Sequence, residues 1–129
     1  MATVIYLDTH VLAWLYAEGT TSLPAPALSL LESVDDIRVS PMVRLELQYL
    51  YEIERVSQPA LTVLDTLGTV MGLNVCDAPF PAVIREAETQ SWTRDPFDRI
   101  IVAQASLFGA PLLTKDESIH KHYSEALWG

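Results

Sequence analysis

Two carboxylates three residues apart open the stretch WTRDPFDRIIVAQA (92–105): Asp95 precedes a proline, and Asp98 heads a strongly apolar helical run. Asp95 suits the N-cap of a helix starting at Pro96, and Asp98 falls where the helix dipole favours an anion. Capping does not exhaust Asp98. It lies three residues before Ile101, four before Val102 and seven before Ala105, so helical geometry puts it on their inward face. A carboxylate buried there without compensation must raise its pKa or cost several kcal/mol, and a nearby cation relieves both penalties.

Glu46 repeats the pattern. In the segment after Ser40, the residues Met42, Leu45, Tyr49, Ile53 and Val56 recur at three- and four-residue steps and read as the inward stripe. Glu46 falls on or beside it, whereas Arg44 and Glu52 fall on the solvated side. Three β-prone runs also end in an aspartate, namely VIYL at Asp8, NVC at Asp77 and LLTK at Asp116. In an open parallel sheet, ligands sit beyond the carboxyl ends of the strands, where strand order reverses, so such positions can share one crevice. Asp8, Glu46, Asp98 and Asp116 together suggest a pocket of hard oxygen donors suited to one or two Mg2+ or Mn2+ ions, and phosphate chemistry is the commonest use of such a pocket. His10 and Cys76 are not spaced as a zinc set.

The elements that must position these acids are legible in outline. Strands are expected at 3–7, 36–40, 73–77 and 111–116, and helices at 11–17, 25–34, 41–56, 60–72, 81–92 and 97–109. Ser40 and Pro41 give an N-cap and first-turn signal, and Gly72 a stop. Alternating strands and helices predict an α/β fold, a three-layer α/β/α sandwich with a mostly parallel central sheet, in a single domain over 1–129.

Composition narrows the functional classes. Half of the 129 residues are apolar and 19% are charged, which supplies a core and disfavours disorder. Seventeen acids against eight Lys plus Arg give a net charge of -9, which argues against sequence-independent nucleic-acid binding through a basic face. Metal gathered by clustered acids changes the local field, so the exclusion does not extend to such a site. Cys76 is the lone cysteine, which excludes an intramolecular disulfide, fits a reducing cytosol and reads as a small buried hydrophobe. The amino terminus, MATVIYLDTH, reads as a first strand rather than a signal peptide, and no run approaches a membrane span. A cytoplasmic protein with no membrane association is expected.

In four blocks the chain resembles the PIN-domain ribonucleases, and within them the VapC-like toxins of type II toxin-antitoxin modules. The blocks are YLDTHVLAWL (6–15), VSPMVRLELQYL (39–50), RDPFDRIIVAQA (94–105) and LLTKDESI (112–119). The resemblance implies a PIN-like fold with an acidic quartet at Asp8, Glu46, Asp98 and Asp116 that binds Mg2+ (or Mn2+), with Asp95 as an additional acid. Thr9, Ser40 and Thr114 fall at small polar positions that orient the acids or bind water in the family. Asp77 has no counterpart and is left as a cap or loop residue. Where many relatives carry a histidine, this chain has Thr93.

The implied activity is that of an endoribonuclease cleaving RNA phosphodiester bonds with metal-activated water and no histidine base. Implied partners are an RNA substrate, a small antitoxin whose carboxy-terminal segment covers the acids, and a second copy in a homodimer. Arg94 and Arg99 are candidate contacts to substrate or antitoxin. His10, Trp14, Trp92 and Tyr49 are read as packing or interface residues, and Leu47, Leu50 and Tyr51 as a groove or a buried face. Two rivals stand beside this reading: a catalytically silent PIN-like protein-binding module, and a small Mg2+-dependent phosphohydrolase or phosphoacceptor domain with Lys115 beside Asp116.

Overall fold

Three consecutive apolar side chains, Ile5, Tyr6 and Leu7, are buried almost completely, as a strand covered on both faces requires. They belong to β1 (Val4–Leu7), the centre of a five-stranded sheet with β2 (Asp36–Val39), β3 (Asn74–Val75), β4 (Leu112–Leu113) and β5 (Ala126–Leu127). The computed structural model describes residues 3–129. Strand order is β3-β2-β1-β4-β5, and every pairing is parallel, with Ile5 opposite Ile37 and Tyr6 opposite Leu112.

Parallel strands need crossovers, and helices supply most of them. They are α1 (Thr9–Glu18), α2 (Ala25–Ser33), α3 (Pro41–Glu52), α4 (Ala60–Met71), α5 (Phe80–Glu88), α6 (Pro96–Ser106) and α7 (Glu117–His122). The architecture is an α/β sandwich whose core joins Ile5, Leu12, Val39, Leu47, Ile101 and Leu113. From β1 the chain builds outward through β2 and β3, then returns to the other flank of β1 for β4 and β5. The reversal lies between β1 and β4, which carry Asp8 and Asp116 just beyond their ends. Asp77 follows β3, two strands away at the sheet edge, and is exposed.

The inward face of α3 differs from expectation. Val43, Leu47 and Leu50 are buried, whereas Leu45 is 57% and Tyr49 is 49% exposed. This helix has apolar side chains on two faces, and the smaller set packs inward because α1, α4 and α6 all close on α3. Glu46 keeps its place at the margin, three residues after Val43 and four before Leu50. The helix ends at Glu52 rather than near 56: Glu54 adopts a left-handed φ of 63°, and the Arg55 N–H donates to the Leu50 carbonyl at 2.8 Å. The chain signals neither α7 nor β5 clearly, since each is short. Helix α4 stops where expected, at Gly72 with φ 71°.

Ser40 ties the fold together after β2. Its hydroxyl accepts from the Met42 N–H at 3.1 Å, capping α3, and donates to Gln104 Oε1 at 2.9 Å, joining α3 to α6. Both side chains are buried, and Gln104 Nε2 has no protein partner. Ser40→Ala removes the cap and strands the rest of the amide, so a loss of about 1–3 kcal/mol is expected in urea unfolding. Adding Gln104→Leu should recover part of that loss, because no buried polar group is then left unpaired.

Candidate active site

Backbone pairing positions the first acid. The Asp8 N–H donates to the Leu113 carbonyl at 3.0 Å, extending the β1–β4 ladder one residue past the strand. Asp8 then caps α1, accepting from the Thr9 N–H at 2.7 Å on Oδ1, while Thr114 Oγ1 donates to Oδ2 at 2.6 Å. It is only 8% exposed. Thr114 also accepts from the Asp116 N–H at 3.1 Å, so one hydroxyl links the two strand-end aspartates. Asp116 in turn caps α7, accepting from the Ser118 and Ile119 N–H groups at 2.8 and 3.1 Å on Oδ1.

Helices bring the other two. Glu46 of α3 is half-buried and takes a short hydrogen bond from Thr9 Oγ1. Because Thr9 is fully buried beside Asp8, it braces Glu46 against the first strand's end. Asp98 sits in the first turn of α6, and Asp95 caps that helix by accepting from the Phe97 N–H at 2.9 Å. Asp8, Glu46, Asp95, Asp98 and Asp116 all line one cleft of about 490 Å3. A larger depression of about 660 Å3 beside Glu54 and Arg55 contains no such convergence of acids, so volume alone does not identify the site.

Burial, with crowding added to it, leaves Asp8, Glu46 and Asp98 hard to ionise. Burial pushes the Asp98 carboxyl up to about 7, and the like charges of Asp95, Asp8, Asp116 and Glu46 push the same way. Burial also raises Asp8 and Glu46, and the hydrogen bonds from Thr114 and Thr9 offset this only in part. The donor set is hard oxygen throughout. No three His, Cys, Asp or Glu side chains among the described residues gather tightly enough to hold an ion unaided.

Not every expected residue faces this cleft. Ser40 touches none of the acids, because its hydroxyl is committed to Gln104 and the α3 cap. Arg94 lies outside the cleft lining and donates to the Ser91 carbonyl at 2.8 Å. Arg99 closes the end of α5, donating to the Ala87 and Glu88 carbonyls at 3.2 Å each. Thr93 Oγ1 accepts from the Asp95 N–H at 3.1 Å, steadying the loop before α6. Leu47 and Leu50 form a buried face.

Four further residues line the cleft: His10, Trp14, Lys115 and Glu117. His10 is exposed there rather than packed. The signal for the first two was their four-residue spacing behind Asp8, which stacks them on one side of α1. Lys115 and Glu117 flank Asp116, so they share its loop.

The family model described as PIN domain matches residues 5–125. Ribonuclease VapC22 of Mycobacterium tuberculosis is 34% identical over 122 residues, 93% of this chain and 92% of that protein. The fold is shared with VapBC2 of Rickettsia felis, solved bound to a promoter DNA fragment, at a TM-score of 0.66 and 18% identity over 98% of this chain and 100% of that one. A toxin-antitoxin complex from Klebsiella pneumoniae matches at a TM-score of 0.64 and 17% identity over 95% of each chain. With the acids at the switch point of a parallel sheet and these relatives along nearly its whole length, the chain belongs to the PIN-domain family as a VapC-like member.

Proposed function

We propose that this protein is a Mg2+- or Mn2+-dependent endoribonuclease, the toxin of a toxin-antitoxin pair. The observation that carries the reading is the convergence of Asp8, Glu46, Asp98 and Asp116 on one cleft, with the Asp98 carboxyl pushed up to about 7 by burial first and by its acidic neighbours second. Kinship with a VapC ribonuclease supports the substrate class. When bound, the ion supplies Lewis acidity that activates water and offsets phosphate charge. Asp8, Asp98 and Asp116 are the proposed ligands, and Glu46 either ligates or orients the attacking water.

The protein's own groups contribute placement. Thr114 fixes the angle of the Asp8 carboxylate through Oδ2, and Thr9 holds Glu46 through Oε1, so neither acid needs to reorganise when substrate arrives. A net charge of -9 suits a basic antitoxin segment lying over the acids, and solved relatives are toxin-antitoxin complexes.

A homodimer is part of the same proposal. Leu45 is 57% and Phe80 63% exposed beside an apolar recess of about 230 Å3 lined by Met42 and Ile100. Exposed apolar patches of this kind mark protein contacts. Sedimentation equilibrium is expected to show a dimer that Leu45→Glu dissociates; a wild-type monomer at micromolar concentration contradicts it.

The activity is tested by incubating purified protein, freed of antitoxin, with cellular RNA and Mg2+ and mapping the new ends. Wild type should cut, and Asp98→Asn should lose on the order of 100-fold or more in rate, as a lost charge at a reacting phosphate does. EDTA should abolish cutting. Equal activity in the Asn variant, or undiminished cutting in EDTA, rules the reading out, and a covalent adduct from acetyl phosphate would instead mark a phosphoacceptor.

A further inference from the structure

One wall of the cleft is chemically unlike the rest. Six acids line the cleft, and Lys115 is the one Lys or Arg side chain among the lining residues. Followed directly by Asp116 and Glu117, it would be expected to pair with a carboxylate. Among the described residues it makes no ion pair within 4.0 Å, the single such pair being Arg38 with Asp36. Its ammonium stands 5.8 Å from the centroid of the Trp14 ring. A tryptophan face attracts a cation by its quadrupole while leaving the ammonium's hydrogen-bond donors unspent.

Trp14 belongs to a short aromatic series. Its ring is 6.2 Å from His10, tilted 46°, and 5.7 Å from Trp128, tilted 57°. His10 is exposed, and Trp14 is only partly covered by the core. An exposed imidazole beside a half-covered indole offers π surface inside a cleft otherwise built of carboxylates. Aromatic faces paired with a cation form the usual platform for a single-stranded nucleotide, since every base has a π face and every link a phosphate.

We propose that His10, Trp14 and Lys115 form a subsite for one nucleotide of a single-stranded RNA next to the scissile bond, its base laid against the aromatic wall and its phosphate on Lys115. This rests on the nuclease reading above and specifies how the substrate is held. The wall and the acids divide the work: carboxylates and their ion act at the scissile phosphate, and the wall fixes the neighbouring nucleotide in register with it. Because stacking tolerates any base, the subsite contributes affinity and register rather than a sequence code.

The test has two arms. In steady-state cleavage of a single-stranded oligoribonucleotide with Mg2+, Lys115→Met and His10→Ala should each raise KM about tenfold while kcat changes by no more than about twofold, since they remove binding shared by ground and transition states. In a Trp92→Phe/Trp128→Phe protein, where Trp14 is the sole emitter, adenosine 5′-monophosphate should quench fluorescence, whereas inorganic phosphate should not. Lys115 and His10 are exposed, so their variants read the subsite without disturbing the core. If wild type cuts, Asp98→Asn does not, and yet KM and Trp14 emission are indifferent to these changes, the subsite is overturned while the nuclease reading stands. If N-acetylarginine amide quenches Trp14 and the nucleotide does not, the wall is a protein contact and the inference likewise falls. If wild type cuts no RNA, the nuclease reading and the inference fall together.

Discussion

The site depends on one hydrogen-bonded junction, where β1 and β4 run past their strand ends side by side. The Asp8 N–H reaches the Leu113 carbonyl, and Thr114 reaches back to the Asp8 carboxylate. The strands are parallel and sequence-distant, so this junction is a tertiary contact that local sequence cannot form by itself. Two of the other acids are referred to it: Thr9 carries the Asp8 position across to Glu46, and Thr114 carries it to Asp116 at the start of α7. His120 adds a further tie, its Nε2 lying 2.6 Å from the Thr114 carbonyl.

The electrostatics are a consequence of that geometry. Six carboxyls line the crevice that the sheet leaves, and the lysine among them is engaged with an indole instead. The fold holds ionisable carboxyls in a half-buried place at a cost to stability, an arrangement typical of functional sites. Arg94 and Arg99 illustrate the contrast. Both lie close to the acids in sequence, and both are used up on loop and helix-end carbonyls.

Much of this was legible in the chain because it follows from local rules. The apolar face behind Asp98, the Ser40-Pro41 helix start and the Gly72 stop are each decided within a few residues. The strand-end rule found Asp8 and Asp116, but it also selected Asp77, because nothing in the sequence states strand order and β3 is at the edge. The inward face of α3 departs from its sequence pattern for a related reason: two apolar stripes compete on that helix, and tertiary packing chooses Val43, Leu47 and Leu50. Ser40 matched a motif position, yet its partner is Gln104, sixty-four residues away and invisible to any periodicity. Short β5 and α7 carry too little pattern to be read before the sheet is assembled.

The central proposal is that burial and neighbouring acids together keep a proton on Asp98, a penalty that a divalent cation would relieve, and stability as a function of pH reads this most directly. The folded protein holds the Asp98 proton up to about pH 7, against 3.8 for the ordinary aspartate, so it binds more protons than the unfolded chain between those values. The stability contribution is therefore complete below pH 3.8 and is lost as pH rises through about 7. In chelator, urea unfolding of wild type should lose ground to Asp98→Asn by on the order of 1–2 kcal/mol between pH 4 and pH 8, after allowance for solvent screening at a half-exposed group. Millimolar Mg2+ at pH 8 should then stabilise wild type and not the Asn variant. Parallel stability curves for the two proteins across that range, together with no response to Mg2+, would contradict the account.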